Sequence, residues 1–147
     1  MTAGIVLEFD AEFAAPPERV FAAITEGRHL GRWFCDFCES ETHEDGRLTM
    51  RWRQTFSSPW PYEARWTEFQ PPVRAVCRGG HQGYPNRDAG TITFEVAPAG
   101  SGTKLHVTHE MGPPDLYSTF AKAYGDAWPR ALKRLSSYLA PKLAEKP

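Results

Sequence analysis

The sequence predicts an α+β protein in which a curved antiparallel sheet of about seven strands carries two short helices and one long C-terminal helix. Two observations lead to this prediction. Residues 37–110 consist of short segments of strand character separated by turn residues, with no long helical periodicity among them. The segment that follows repeats its apolar residues at steps of three and four, which is the period of an amphipathic helix.

The first elements are a strand and two short helices. Residues 5–13 alternate between apolar and mostly acidic side chains, which predicts a half-buried strand. Pro17 suits a first helical position, and the apolar residues of 20–24 recur at helical spacing, so a short helix should end near Gly27. Residues 29–34 predict a second short helix that presents Leu30, Trp33 and Phe34 to the core.

Six further strands should form an antiparallel meander, because turn residues separate them at short intervals. They are predicted at residues 37–43, 47–54, 62–69, 74–78, 91–96 and 104–110. Asp45-Gly46 predicts a tight hairpin turn, and residues 57–61 predict a looser loop. Pro71-Pro72 predicts a stiff corner, and Gly100-Ser101-Gly102 another turn.

The last element is a long helix for which Asp115 is the predicted N-cap and which should run to about Leu143. Its apolar stripe is aromatic in the first half and aliphatic in the second, through Phe120, Tyr124, Trp128, Leu132, Leu135 and Leu139. Pro129 lies inside this helix, where its ring opposes the carbonyl group of Gly125. We therefore expect a kink that lets the aromatic half lean independently over the sheet.

Size and charge restrict the possible partners. The 147 residues have the length of one domain, so residues 1–147 are expected to form a single unit. A net charge of -1 gives no general attraction to nucleic acid or to an anionic membrane. No apolar run approaches the roughly 20 residues of a membrane span, and no secretion signal opens the chain. These features predict a cytoplasmic protein that does not insert into membranes or bind nucleic acid.

The chain has three cysteines, of which Cys35 and Cys38 form a C-x-x-C pair. Such a pair is compatible with redox chemistry or with half of a zinc site. Ordinary structural cysteines are the favoured interpretation, because no second pair completes a zinc site and no Trp-Cys-Gly context marks a thioredoxin-type turn. No metal or other cofactor is predicted.

The order of the elements, and several short motifs within them, resemble the START-like (SRPBCC) superfamily, whose architecture is the helix-grip fold. Within it the chain resembles the bacterial relatives of the activator of heat-shock protein 90 ATPase. The likeness covers nearly the whole chain and rests on residues 13–24 (FAAPPERVFAAI), Trp33-Phe34, 69–72 (FQPP), 91–98 (TITFEVAP), 102–109 (GTKLHVTH) and Trp128 with its leucines. The chain departs from the family at Asp45-Gly46, where paired glycines are common, and at Ala127, where glycine is usual.

A sheet wrapped around one helix leaves a cavity between them, and such cavities hold small ligands. The candidate apolar lining is Trp33, Phe34, Met50, Trp52, Trp66, Phe120, Tyr124 and Trp128. The candidate polar groups are Arg78, His81, Tyr84, His109 and Tyr124. The same tryptophans would also serve simply to fill a core. His109 has inward parity, and a lone buried histidine is more often structural than catalytic.

The favoured function is therefore binding of a small hydrophobic or aromatic molecule. A cofactor-independent enzyme is the first alternative, since the resemblance includes cyclases, aromatases and hydrolases that use an isolated His or Tyr in the same cavity. The chain contains no serine-protease triad, phosphate loop or metal cluster that would indicate catalysis. A chaperone-associated stress-response protein is the second alternative, although the eukaryotic activator engages its chaperone through a separate N-terminal domain. A homodimer is also compatible with the sequence.

Overall fold

The structure is a computed structural model that describes residues 4–52, 61–81 and 90–140. Seven strands form one antiparallel sheet in the order β1-β7-β6-β5-β4-β3-β2. The strands are β1 (Val6–Phe13), β2 (Phe37–Ser40), β3 (Arg47–Arg51), β4 (Tyr62–Gln70), β5 (Arg74–His81), β6 (Thr91–Ala99) and β7 (Gly102–Glu110). The helices are α1 (Pro17–Thr25), α2 (Gly27–Trp33) and α3 (Pro114–Leu139). The α+β helix-grip prediction is confirmed.

The alternation of side chains along β1 and β7 defines the inner face of the sheet. In β7, Leu105, Val107 and His109 are buried, while His106 points to the outer face between them. Leu7 of β1 pairs with His109 in an antiparallel register, which sets β1 beside β7 at the edge of the sheet. The inward parity predicted for His109 is therefore correct.

Helices α1 and α2 follow β1 and precede β2, and they cover part of the inner face. Pro17 opens α1 at its first helical position, as predicted, and the helix buries Val20 and Ile24 completely. The indole nitrogen of Trp33, the last residue of α2, donates a 2.8 Å hydrogen bond to the carbonyl oxygen of Ala23 in α1. This bond fixes the two short helices relative to each other.

Helix α3 buries the part of the predicted stripe that runs from Trp128 to Leu139, and its ends differ from the prediction. Its N-cap is Pro113, which pre-sets an extended backbone before the helix, whereas Asp115 lies inside the first turn. The helix ends at Leu139, and the extended backbone of Ala140 caps it earlier than expected. Pro129 lies inside the helix, which continues across it without a break. The kink at this proline stays a prediction.

Two turn predictions had different outcomes. Gly100 has a φ of 59° at the first position of the turn that joins β6 to β7, a conformation that glycine adopts freely. Asp45-Gly46 does lie in a turn, since the amide of Gly46 donates to the carbonyl oxygen of His43 at 2.9 Å, but the connection is longer than a tight hairpin because the last paired residues of β2 and β3 are Ser40 and Leu48. Asp45 instead adopts a φ of 68° within a longer loop. The predicted loop at 57–61 lies largely outside the described residues.

The strand boundaries shift by a few residues. β2 is shorter than predicted, and β5, β6 and β7 are each longer, with β6 continuing through Pro98, which pairs with Thr103. The corner at Pro71-Pro72 is confirmed as the turn between β4 and β5, and its peptide bond is cis. Within the described parts of the chain, no helix combines the length and the apolar character needed to cross a bilayer.

Candidate functional site

The aromatic half of α3 changes from solvent-accessible to fully buried along its length. Phe120 and Tyr124 are half-buried and stack at 6.5 Å between ring centroids, with an angle of 21° between their planes. Trp128, one turn further on, is only 3% exposed. The spacing of four residues places all three rings on one face of the helix, so they form a continuous strip that leads from the surface into the core.

His109 of β7 lies beside this strip. Its ring centroid is 4.6 Å from that of Tyr124, and its Nδ1 accepts a 3.1 Å hydrogen bond from the indole nitrogen of Trp128. An indole N–H can only donate, so Nδ1 must be unprotonated and the neutral ring carries its proton on Nε2. The imidazole is 1% exposed, which makes it a buried polar group among aromatic rings.

Phe34 connects the strip to α2 and to the end of β3. Its ring stacks on Trp128 at 5.6 Å and 23°, and it also contacts Trp33 at 5.0 Å and Trp52 at 5.6 Å. Trp52 donates its indole N–H to the carbonyl oxygen of Phe34 at 2.7 Å. These contacts hold the Phe34 ring in one place, and each aromatic pair contributes about 0.5–1.5 kcal/mol beyond its burial.

Two residues that the prediction did not include complete the cluster around Trp128. Phe9 of β1 lies 6.4 Å from the Trp128 ring, and Phe94 of β6 lies 6.1 Å from it. Both have inward parity on their strands, so the alternation of residues along β1 and β6 was the signal that could have identified them. The aromatic cluster is hereafter Phe9, Trp33, Phe34, Trp52, Phe94, His109, Phe120, Tyr124 and Trp128.

Trp66 and Met50, two of the predicted lining residues, are buried in the core and are not part of the aromatic cluster. Trp66 is fully buried, donates its indole N–H to Ser40 Oγ at 2.9 Å, and contacts Phe69 at 5.6 Å. Phe69 in turn contacts Phe21 of α1, so this second group packs under the first helix. Met50 is 4% exposed and belongs to the core.

The predicted polar residues of β5 and the loop after it are not all brought to the aromatic cluster. Arg78 is exposed on the outer face, where its guanidinium donates to Thr91 Oγ1 at 3.0 Å. His81 is the last residue of β5, and its backbone pairs with Tyr62. Tyr84 lies outside the described residues. His109 and Tyr124 are thus the predicted polar residues that the described structure brings together.

A surface depression of about 500 Å³ lies elsewhere, lined by Phe37, Glu39, Thr49, Arg51 and Glu63. These side chains alternate with the inward Cys38, Leu48 and Met50, so the depression belongs to the outer face of the sheet. Its lining is largely charged and open to water, which does not suit an apolar ligand. In residues 4–52, 61–81 and 90–140, no three His, Cys, Asp or Glu side chains converge as metal ligands would.

Comparison with known proteins gives one family. The family model described as "Activator of Hsp90 ATPase homolog 1-like protein" matches residues 14–140. A search of curated proteins gave no match. Among solved structures, a Rhodobacter sphaeroides protein is similar at 23% identity with a TM-score of 0.79, and the alignment covers 91% of each chain.

Two further solved structures show the same fold. The Aha1 dimer from Colwellia psychrerythraea is 15% identical with a TM-score of 0.76, over 97% of this chain and 99% of that one. CalU16 from Micromonospora echinospora is 19% identical with a TM-score of 0.73, over 96% of this chain and 80% of that one. At these identities the likeness concerns the fold, and the chemistry must be argued from this chain's own residues.

Proposed function

Because the chain belongs to the activator of Hsp90 ATPase homolog 1-like family and has the START-like fold, we propose that it binds a small hydrophobic or aromatic molecule against the aromatic half of α3. The observation that supports this most directly is the strip formed by Phe120, Tyr124 and Trp128. Two of its rings are only half-buried, although each lies on the core-facing stripe of the helix. A ligand that covered them would remove apolar surface from water.

The two halves of α3 differ in a way that favours binding at the first. In the second half, Leu132, Leu135 and Leu139 are buried, and Leu135 is fully so. Arg134 donates from Nε to the carbonyl oxygen of Trp33 at 3.0 Å, which attaches this half to α2. The second half thus supplies the rigid base, while the first half presents aromatic surface at its edge.

The chemistry of the strip suits a flat ligand with one polar group. A planar ring of a ligand would stack on Phe120 and Tyr124, because stacked aromatic pairs are favourable at centroid distances of about 4.5–7 Å. His109 is a buried polar group whose ring lies beside that of Tyr124, so the aromatic surface includes one site of hydrogen-bonding chemistry. A carbonyl or hydroxyl group on the ligand would complement this pair.

The test is titration with anilinonaphthalene sulfonate, an aromatic probe whose fluorescence rises in apolar sites. Saturable binding with one probe per chain is expected, and Phe120→Ala should weaken it roughly tenfold, which is about 1.4 kcal/mol. Phe37→Ala is the matched control, because Phe37 is an exposed aromatic residue of the outer face. Equal loss in both variants, or no saturation at all, would reject binding at the strip.

Catalysis in the same place is the second candidate, and the contact between His109 and Tyr124 favours it. An imidazole beside a phenol can exchange protons with a substrate, which is general acid–base catalysis. Aromatic esters and polyketide-like ketones are suitable substrates for the assay. Turnover that is lost in both His109→Gln and Tyr124→Phe, with the probe still bound, would favour the enzyme over the binding protein.

Self-association is a separate proposal. The Colwellia psychrerythraea relative is described as a dimer, and this chain has the same fold. Light scattering on the purified protein over a range of concentrations decides the point, since a monomer mass at every concentration would reject the dimer.

A further inference from the structure

Helix α3 carries a second row of residues beside the stripe that it buries. Steps of four, three, four, three and four connect Leu116, Phe120, Ala123, Ala127, Arg130 and Arg134. At about 3.6 residues per turn, these steps keep the whole row within roughly a quarter of the helix circumference. Leu116 is 64% exposed, and Ala123, Arg130 and Arg134 are also exposed. This surface, hereafter the exposed row, is apolar in its first half and cationic in its second.

Helix α2 lies against the second half of α3, next to the cationic end of the exposed row. His29 Nδ1 lies 2.6 Å from the hydroxyl of Tyr138, and Arg134 donates from Nε to the carbonyl oxygen of Trp33 at 3.0 Å. The earlier residue of α2 thus meets the later residue of α3, so the two helices are antiparallel neighbours. Side chains that α2 exposes therefore widen the surface that the exposed row begins.

The positive charge at this end is largely unpaired. Residues 27–33 and 128–139 contain no Asp or Glu. Their lysine and arginine side chains are all exposed, and they are Arg28, Arg32, Arg130, Lys133 and Arg134. Arg28 is paired with Glu26 at 2.8 Å. Within the described parts of the chain, Arg32, Arg130 and Lys133 form no ion pair, so their charge is available to an anionic partner.

Basic side chains on the outer face of the sheet are neutralised by neighbours. Arg74 lies 2.7 Å from Glu68 and 2.8 Å from Glu95, and Lys104 lies 3.8 Å from Asp10. A cation whose charge is balanced in this way attracts a further anion only weakly. The net charge of -1 therefore conceals a local positive surface on the helical side of the protein.

We propose that this surface, formed by the exposed row together with Arg28 and Arg32, docks on a lipid bilayer that contains anionic phospholipid. Arginine binds a phosphate group through two parallel hydrogen bonds, and each basic side chain near an anionic bilayer adds to the attraction. Leu116 and Phe120, at the other end of the row, contact the boundary between the headgroups and the acyl chains. Helix α3 lies in the plane of the surface and does not cross the bilayer.

The distribution of residue types along the row favours a lipid surface over a nucleic acid. A nucleic acid presents phosphate along its whole length, whereas the first half of the row offers Leu116, Phe120 and two alanines. On the adjoining side of that half, Asp115 and Asp126 outnumber Lys122 and repel phosphate. A bilayer surface offers phosphate and apolar groups together, which matches both halves of the row.

Sedimentation of the protein with lipid vesicles tests the proposal on the unaltered chain. Vesicles of phosphatidylcholine with about 30% phosphatidylglycerol should bind it, and vesicles of phosphatidylcholine alone should bind it at least about tenfold more weakly. Sodium chloride at about 1 M, where the screening length is about 3 Å, should release the protein. Equal binding to both kinds of vesicle, or no binding to either, would overturn the proposal. No ligand is added, so the result is independent of ligand binding at the strip.

Charge-reversal variants locate the surface. Arg32→Glu combined with Arg130→Glu should weaken binding to the anionic vesicles at least about tenfold. Arg47→Glu combined with Arg78→Glu is the matched control, because it changes the net charge equally on the outer face of the sheet, and its binding should fall much less. Equal loss in the two double variants would mean that net charge alone governs binding, and would reject the helical surface.

A tryptophan placed at the apolar end reports lipid contact without altering the charge, and it decides the point even if a charge variant does not fold. Leu116 is 64% exposed, so Leu116→Trp should fold, and its emission should shift to shorter wavelength when anionic vesicles are added. Val73→Trp is the control, since Val73 is 50% exposed in the turn between β4 and β5, and it should not shift. A shift in both variants or in neither would contradict the docking. Binding of double-stranded DNA as tight as that of the vesicles, with no shift in the Leu116 variant, would identify a nucleic-acid partner instead.

Discussion

The indole nitrogen of Trp128 donates a hydrogen bond of 3.1 Å to Nδ1 of His109, and both side chains are almost fully buried. This bond joins α3 to β7 across the inner face of the sheet. It also fixes the imidazole tautomer, because an indole cannot accept the proton that Nδ1 would otherwise carry. A buried polar pair of this kind is stable only while both members are present.

A double-mutant cycle measures that interaction. Trp128→Phe and His109→Ala should each lower the free energy of unfolding, and the double variant should lose about 1 kcal/mol less than the sum of the two. Urea denaturation gives all of the values. Trp128→Phe combined with Leu139→Ala is the control, because residues eleven positions apart on one helix do not touch, and these losses should add. Additive losses in the first cycle would mean that the hydrogen bond contributes nothing.

The two halves of α3 should differ in their contribution to stability. Leu135 is fully buried, so Leu135→Ala should cost about 2–5 kcal/mol through lost burial and a residual cavity. Phe120 is half-buried, so Phe120→Ala should cost only about 1 kcal/mol. Thermal unfolding of the two variants provides the comparison. Equal losses would indicate that the aromatic half is core rather than a binding surface.

His106 should make stability decline as the pH rises above 6.5. On the outer face its Nδ1 lies 2.7 Å from Asp10 and its Nε2 3.1 Å from Glu8. The hydrogen bond with Asp10 is the main cause that raises the pKa of His106 above 6.5. The folded state therefore binds the proton more tightly than the unfolded state, so this stabilisation is complete below pH 6.5 and is lost as the pH rises through the raised value.

Urea titrations over a range of pH check this expectation. His106→Gln should remove the decline in stability that begins above pH 6.5. His43→Gln is the control, since His43 is an exposed loop residue whose ring Nδ1 lies 2.9 Å from the carbonyl oxygen of its neighbour Glu44. An identical pH profile for the His106 variant and the unaltered protein would refute the assignment.

His29 should have the opposite dependence. Its Nδ1 lies 2.6 Å from the hydroxyl of Tyr138, where α2 meets α3, and burial is the main cause that lowers the pKa of His29 below 6.5. The unfolded state then binds the proton more tightly, so stability is complete above pH 6.5 and is lost as the pH falls toward the lowered value. His29→Gln should reduce this loss. Amide exchange in α3, followed at both pH limits, shows whether the loss is local to the helix junction.

The sequence was sufficient for the order of the elements, because period two and period 3.6 are distinct wherever a segment has one buried face. The prediction from sequence was wrong where a second local feature of the chain outweighed the feature on which the prediction rested. Asp115 has the side chain of an N-cap, yet Pro113 and Pro114 already set the backbone that begins α3, so the N-cap lies two residues earlier, at Pro113. The Asp45-Gly46 pair is typical of a short hairpin, but the pairing of β2 with β3 stops at Ser40 and leaves a longer loop.

The site was only partly predictable, for a related reason. The spacing along α3 identified Phe120, Tyr124 and Trp128, because residues four positions apart lie on one face of a helix however the rest of the chain folds. The contacts of Trp128 with Phe9 and Phe94 depend on which strands are neighbours in the sheet. The pairing of strands cannot be read from a single sequence. Arg78 lies outside the aromatic cluster because its position along β5 places its side chain on the outer face of the sheet. Successive residues of a strand point to opposite faces, so a difference of one position decides the face.

Gly125 offers the last prediction, because it lies between the two halves of α3. A Cβ atom added there would meet no atom within 4 Å apart from its chain neighbours and the adjacent backbone of the helix, and the backbone is helical. Gly125→Ala should therefore stabilise the protein by about 0.5–1 kcal/mol, since alanine loses less conformational entropy in a helix. Gly79→Ala is the control and should destabilise, because its Cβ would collide with the backbone of Glu63 and Ala64.

The same variant tests whether the aromatic half moves. Pro129 has no N–H to donate to the carbonyl group of Gly125, so the helix lacks one backbone hydrogen bond between residues 125 and 129. If ligand entry requires the first half to lean outward here, Gly125→Ala should slow association of the fluorescent probe while raising stability. Stopped-flow measurements separate the two effects. An unchanged association rate in the more stable variant would mean that the strip is accessible without bending, and that the helix acts as a rigid wall of the site.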